Sequence, residues 1–297
     1  MEGSINSADK PDWLKVRLVP GPGLGKVRRT LRANGVRTVC DSSHCPNLGE
    51  CWGKGTATFM ILGGVCTRSC RFCAVPSGDP NGELDPHEPE RVAKAIADLE
   101  LKHAVVTSVT RDDLDDGGAS VYASTVQEIR RSSPTTTIEL LIPDMNGDLE
   151  ALRTIASSGP DVIGHNLEVV SSLQSRVRDP KASYARSLQV LGTLSDLAPG
   201  KLTKTSLMLG LGETKEEVVQ AMEDAKAQGV DLLVIGQYLR PKNGSLPVAR
   251  FVHPQEFSEL RQEALRLGFR EVMAGPLVRS SYHAQDMISK EDDDADR

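Results

Sequence analysis

The chain has 297 residues, 39% of them hydrophobic and 26% charged, with a formal charge of −6, a balance that suits a globular protein with a sizeable core. It excludes collagen-like, disordered and low-complexity chains, and a net negative charge is the reverse of what a nucleic-acid binder needs. No run approaches the ~18 apolar residues of a membrane span, and the opening residues lack an export core or a transit-peptide composition. A cytoplasmic protein without nucleic-acid or membrane partners is expected.

In chain order, Lys26, Arg28, Arg29, Arg32 and Arg37 come first, a basic segment in an acidic chain. It is either a solvated helix face or a docking patch for an acidic carrier domain. All six cysteines follow, in two trios, Cys40-x4-Cys45-x5-Cys51 and Cys66-x3-Cys70-x2-Cys73. Residues 56–62 (TATFMIL) read as a strand running into the second trio. A helix over 89–102, with Val92, Ala95, Ile96 and Leu99 on one face, leads to a β-branched strand at 103–109. Next come a helix at 119–131, a strand at 138–142 ended by Pro143, and a helix at 149–157. A strand at 161–165, a helix at 184–197 and a strand at 203–209 continue the alternation. The helix at 214–228 has a capping-box pair, Thr214 and Glu217, and a Gly229 stop before the strand at 232–235.

Six such alternations between residues 56 and 236 predict an α/β fold with a parallel sheet inside its helices. The form expected is an incomplete TIM-type barrel of about six βα repeats. Residues 1–55 form an N-terminal extension carrying the first cysteine trio. Residues 237–297 form a C-terminal extension with a helix at 254–267, a short strand near 271–273 and a solvated acidic end at 291–294.

Active groups of such barrels gather at the carboxyl ends of the strands. Those ends here carry Cys66 to Cys73, Thr110-Arg111-Asp112-Asp113, Pro143-Asp144, Asn166 and Glu168, Gly212-Glu213, and Gln237-Tyr238.

Two sets of three thiols in a reduced compartment suggest two metal centres, each with one position not filled by cysteine. Alternatives are a zinc held by three cysteines and His44, as in a non-enzymatic metal module, or inert buried thiols. His87, His103 and His165 lie away from the trios and read as hydrogen-bonded scaffold. Soft thiolates in a short loop suit an iron–sulfur cluster, and three of them leave one iron open.

The spacing of Cys66, Cys70 and Cys73 past the first strand, with Phe72 before the last cysteine, resembles the signature of the radical S-adenosylmethionine enzymes. The resemblance implies that S-adenosylmethionine chelates the open iron and is cleaved to a 5′-deoxyadenosyl radical, which takes hydrogen from unactivated carbon. With "TVCDSSHCPNLGECW", "TSVTRDDLDDGGA", "IGHNLEVV", "SLMLGLGET", "IGQYLRP" and "GPLVRSSYHA", residues 11–287 resemble the lipoyl synthases.

That resemblance implies a sulfurtransferase with a second 4Fe–4S cluster on Cys40, Cys45, Cys51 and a serine, Ser280 or Ser281. Ser281 aligns with the family's serine before a tyrosine, here Tyr282. The second cluster is dismantled to insert two sulfurs at carbons six and eight of a protein-bound octanoyl-lysine. The implied partners are octanoylated lipoyl carrier domains of 2-oxoacid dehydrogenase complexes and the glycine-cleavage H protein. A flavodoxin- or ferredoxin-type electron donor and an iron–sulfur carrier that rebuilds the cluster are implied as well. Asn166, Glu168 and Arg178 match positions that bind S-adenosylmethionine, Glu168 suited to ribose hydroxyls and Arg178 to the methionyl carboxylate. A rim salt bridge between Glu168 and Arg178 is the plainer alternative. Asp41, Val169, Thr205-Ser206 and Ser245 depart from the family pattern without touching a ligand.

Overall fold

The computed structural model describes residues 10–15, 23–43, 45–54, 56–242 and 244–288. His44 and the acidic end at 291–294 lie outside the described residues. The strands are β1 (Arg37–Thr38), β2 (Thr58–Ile61), β3 (His103–Ser108), β4 (Thr137–Leu141), β5 (Val162–Gly164), β6 (Leu202–Leu209), β7 (Leu232–Gln237) and β8 (Glu271–Gly275). The helices are α1 (Gly23–Ala33), α2 (Val39–Ser42), α3 (Leu48–Gly53), α4 (Glu88–Leu99), α5 (Ala119–Ser132), α6 (Leu149–Ser157), α7 (Gln174–Val177), α8 (Tyr184–Leu197), α9 (Lys215–Ala227) and α10 (Pro254–Arg266).

The strands lie side by side in sequence order, β1 antiparallel to β2 and the rest parallel. With β1 and β8 as its edges, the sheet is not closed. This is the expected incomplete barrel, with one more parallel strand. The segment expected as a short strand near 271–273 pairs with β7 from Leu232↔Glu271 to Gly236↔Gly275. Helix α10 makes this possible by burying Phe257, Leu260 and Ala264 as a crossover.

The strands are built from residues that fit burial on both faces; β2 and β7 are buried along their whole length. Outward-facing residues of β2 to β5 pack with Val92, Ile96, Val126, Ile129 and Leu152 of the helices. A second cluster joins β6 to β8 with α9 and α10. Helix α9 starts at the expected capping box: Thr214 Oγ1 accepts from Glu217 N–H (3.2 Å) and Glu217 Oε2 from Thr214 N–H (2.8 Å). Among the described residues no helix is long and apolar enough to cross a membrane.

Candidate functional site

The loop after β2 carries Cys66, Cys70 and Cys73, and a turn aims it. Leu62 and Gly63 take left-handed φ angles of 67° and 86°. Glu88, the first residue of α4, accepts from their N–H groups at 2.6 and 3.4 Å. Beyond the turn the loop folds back on itself, Cys66 N–H donating to Pro76 O and Gly78 N–H to Cys66 O, both 2.9 Å.

Other strand ends stitch the loop down. Thr67 N–H donates to Thr110 O after β3 (3.0 Å), and Asp179 accepts from Ser69 N–H (2.8 Å) and Oγ–H (3.0 Å). At its centre Arg68, only 4% exposed, forks onto Asp112 at 3.0 and 2.9 Å and reaches Asp144 at 2.7 Å. Burial works against the charges, but this pairing outweighs it. Arg68 is held above its ordinary pKa, and Asp112 and Asp144 below theirs. A buried ion network of this kind adds little net stability, but loss of one partner strands the others. It fixes the thiol loop to the ends of β3 and β4.

Backbone N–H groups point at the sulfurs: those of Arg68 and Thr110 at Cys66 Sγ, and that of Asp179 at Cys70 Sγ, each at 3.4 Å. Such donors suit thiolates. Burial pushes the Cys73 thiol up to about 11, with Cys70, Cys66 and Glu168 adding to the effect.

Glu168 follows β5 with φ at 69° and accepts from Asn166 Nδ2 (3.1 Å). Burial raises its pKa, while Arg178 and Asn166 act against that. Arg178 donates to Asn166 O (3.3 Å), Leu167 O (3.4 Å) and Ser187 Oγ (3.4 Å), and its buried Nε has no partner. No ion pair joins Glu168 to Arg178; both act on the Cys70 thiol, whose pKa burial raises, Arg178 working against that and Glu168 adding to it. Behind Arg178 sits His165, whose Nδ1 lies 2.9 Å from Ile142 O and Nε2 2.9 Å from Ser187 Oγ. A carbonyl only accepts, so Nδ1 carries the proton and Nε2 accepts from serine. Burial, with the Arg178 charge, pushes the His165 pKa down to about 4, which keeps the ring neutral. His165 is scaffold, as expected.

Not every rim residue points into the site. Arg111 forks onto Asp113 (2.8 and 2.7 Å) and donates to Leu62 O (3.2 Å). Glu213 accepts from Gly210 N–H (2.6 Å) and Leu211 N–H (2.9 Å). Gln237 ties Leu209, Tyr238, Arg250 and Val252 together, and Tyr238 donates to Leu246 O. These side chains brace loops.

The other trio forms a second site. Cys40, Cys45 and Cys51 line a cavity with Asn47, Lys54, Thr58, His103, Val105, Arg279, Ser281, Tyr282 and His283. Its volume, about 60 Å³, is several times the ~10–15 Å³ that one water requires. Ser280 is not among the lining residues. The C-terminal segment is drawn in by distant contacts. Asn47 Nδ2 donates to Leu277 O (2.6 Å), Thr58 Oγ1 to Ser281 Oγ (2.7 Å) and Tyr282 Oη to Glu50 (3.2 Å). A Cβ on Gly236 of β7 would lie 2.2 Å from Val278 O, so only glycine lets this segment lie so close to the strand.

All six cysteines are free. Burial pushes the Cys51 thiol up to about 12, with Cys40 and Cys45 adding to it. Thiols that raise one another's pKa are relieved by a shared cationic centre, which deprotonates them outright. Among the described residues no His, Cys, Asp or Glu side chains converge as a group for one metal ion. Three thiols around a cavity, and three in one loop with backbone N–H groups aimed at their sulfurs, suit a larger body, so the residues fit thiolate-bound iron–sulfur clusters.

Spacing alone missed Arg68, Thr58, Glu139 and Lys204. Lys204 Nζ donates to Glu139 Oε1 at 2.7 Å, and His103 Nε2 lies 3.4 Å from Glu139 Oε2. His103, expected away from the trios as hydrogen-bonded scaffold, instead lines the first trio's cavity, and neither of its ring nitrogens has a hydrogen-bond partner among the described residues. For Glu139 and Lys204, a charged residue in the middle of an otherwise uncharged strand was the available signal.

An open parallel barrel with a three-thiol loop after its first parallel strand defines a radical S-adenosylmethionine enzyme, and residues 60–225 match the model of the Radical SAM superfamily. The fold is shared with methylornithine synthase, at a TM-score of 0.55 and 13% identity, covering 85% of this chain and 75% of that one. The chain is 54% identical to the lipoyl synthase of Halorhodospira halophila, over 94% of its own length and 84% of that protein. It is 52% identical to that of Rubrobacter xylanophilus, over 93% and 86%. The chain belongs to the lipoyl synthase family.

Proposed function

We propose that the two thiol trios divide one reaction between them. The function is radical-mediated insertion of two sulfur atoms at carbons six and eight of a protein-bound octanoyl-lysine, giving the lipoyl cofactor. Cys66, Cys70 and Cys73 hold one 4Fe–4S cluster, and Cys40, Cys45, Cys51 and Ser281 hold an auxiliary one. When bound, the first supplies the electron that cleaves S-adenosylmethionine to a 5′-deoxyadenosyl radical, and the auxiliary cluster supplies sulfur.

The supporting observation is that three thiols from residues 40–51 and the Ser281 hydroxyl share one cavity, while the other three thiols occupy a separate loop. Asn166, Glu168 and Arg178 bind S-adenosylmethionine: Glu168 accepts from the ribose hydroxyls, and Arg178 pairs with the methionyl carboxylate. Arg68, Asp112 and Asp144 hold the loop still while charge moves through it. In this reading the segment of Cys40 to Cys51 and the segment after β8 each bring part of the auxiliary site to a barrel that runs from β2 through β8.

The substrates are octanoylated lipoyl carrier domains of 2-oxoacid dehydrogenases and the glycine-cleavage H protein. A flavodoxin- or ferredoxin-type donor and an iron–sulfur carrier serve the clusters. Six free thiols suit the reducing cytoplasm.

An anaerobic assay with an octanoylated carrier peptide, read by mass spectrometry, tests the division. Replacing Cys66, Cys70 and Cys73 with Ala abolishes S-adenosylmethionine cleavage. Replacing Cys40, Cys45 and Cys51 spares cleavage and stops sulfur insertion. Lipoyl product from the second variant would show that sulfur comes from elsewhere.

A further inference from the structure

Thr58 is the first residue of β2, 4% exposed, and its backbone is fixed in the sheet opposite Val105 of β3. Its side chain turns into the barrel and lines the same cavity as the three thiols of residues 40–51. The hydroxyl donates to Ser281 Oγ at 2.7 Å. A residue on a rigid strand thus holds the serine of the C-terminal segment in a cavity that the N-terminal thiols also line.

We propose that Thr58 is a positioning residue of the auxiliary site, holding the Ser281 oxygen toward the three thiols and setting how long that oxygen stays engaged. The proposal rests on the reading that Ser281 is a cluster ligand. A serine oxygen that gives up its proton to bind a metal becomes a stronger acceptor. The Thr58 O–H bond to it is then charge-assisted, roughly twice the strength of a neutral one. Without the Thr58 hydroxyl, Ser281 keeps the tethers of its own segment, Asn47 to Leu277, Tyr282 to Glu50, and His283 to Glu50 and Lys54. None of these touches the serine side chain. Valine has the shape of threonine without the hydroxyl, so Thr58→Val removes the bond while filling the same space.

The test is iron release from the reconstituted full-length chain to a ferrous chelator without oxygen, following the phase that is lost when Cys40 is replaced. Thr58→Val speeds that phase about tenfold, the effect of losing one hydrogen bond to a charged group. Thr58→Ser releases iron at the parent rate. Ser281→Ala speeds release at least as much as Thr58→Val, and the double variant is no faster than Ser281→Ala alone. Parent-rate release from Thr58→Val, alongside fast release from Ser281→Ala, overturns the role of Thr58. So does a double variant in which the two effects multiply. If Ser281→Ala itself releases iron at the parent rate, the ligand assignment fails instead. Should Thr58→Val not fold, Thr58→Ala, which cannot crowd the cavity, carries the same comparison.

Discussion

At the scale of single residues, the site depends on buried polar groups that each have one workable protonation state. His165 is the clearest case. Its ring must be neutral to accept from Ser187, which in turn lies beside Arg178. Its folded pKa, about 4, lies below the ~6.5 of an unfolded histidine. The unfolded chain therefore binds more protons between those values. The stabilisation is complete above pH ~6.5 and is lost as pH falls toward 4, worth about 3 kcal/mol in all. Denaturant unfolding across that window should show a slope that His165→Gln flattens; an unchanged slope would place the titration elsewhere. Asp112 and Asp144, held low, add their loss only below about pH 4. Cysteine spacing was legible because three thiols in one loop are a local pattern. Arg68 was not, because its partners Asp112 and Asp144 arrive from two other strands, and residue type alone does not tell a buried arginine from a solvated one.

At the scale of elements, α1 shows a helix with two different faces. Val27 and Leu31 are buried, while Lys26, Arg28, Arg29 and Arg32 are exposed, and among the described residues only Lys26 of these forms an ion pair, with Glu100 at 3.7 Å. Its first residue is pressed onto α3, the Cys51 helix: a Cβ on Gly23 would meet Gly53 O at 2.5 Å. The exposed arginines thus lie on a helix that backs onto the auxiliary site. If this face receives an acidic carrier domain, Arg28→Glu with Arg29→Glu raises the KM for the carrier roughly tenfold at low salt, less at high salt, and leaves S-adenosylmethionine cleavage alone. An unaltered KM at low salt would leave α1 as a solvated face.

Element limits were partly legible. Helix α9 announces itself by its cap and stop. Strand β8 was legible only as a short strand near 271–273, because EVMAG has weak alternation; it runs to Gly275 and joins the sheet when α10 brings it against β7. Strand β1, two residues long, carries no periodicity at all.

At the scale of the whole molecule, the barrel keeps its two thiol sites apart, with one chain of strands serving both. Anaerobic reconstitution should bind about eight irons per chain, falling to about four when either cysteine trio is replaced with Ala. Loss of all eight from one triple replacement would mean that the sites are not independent. The barrel class was legible from alternation alone, whereas the brace role of Gln237 and Glu213 depends on loops that only the folded chain brings together.

Thr58 and Ser281 are 223 residues apart, and that distance sets a timetable. At translation rates of about 5–20 residues per second, roughly 10–45 s pass between their synthesis. Through that interval the nascent polypeptide carries its first three cysteines with one wall of their chamber not yet made. Metal delivered before termination would meet an unfinished pocket, so loading is a task for the completed, released chain.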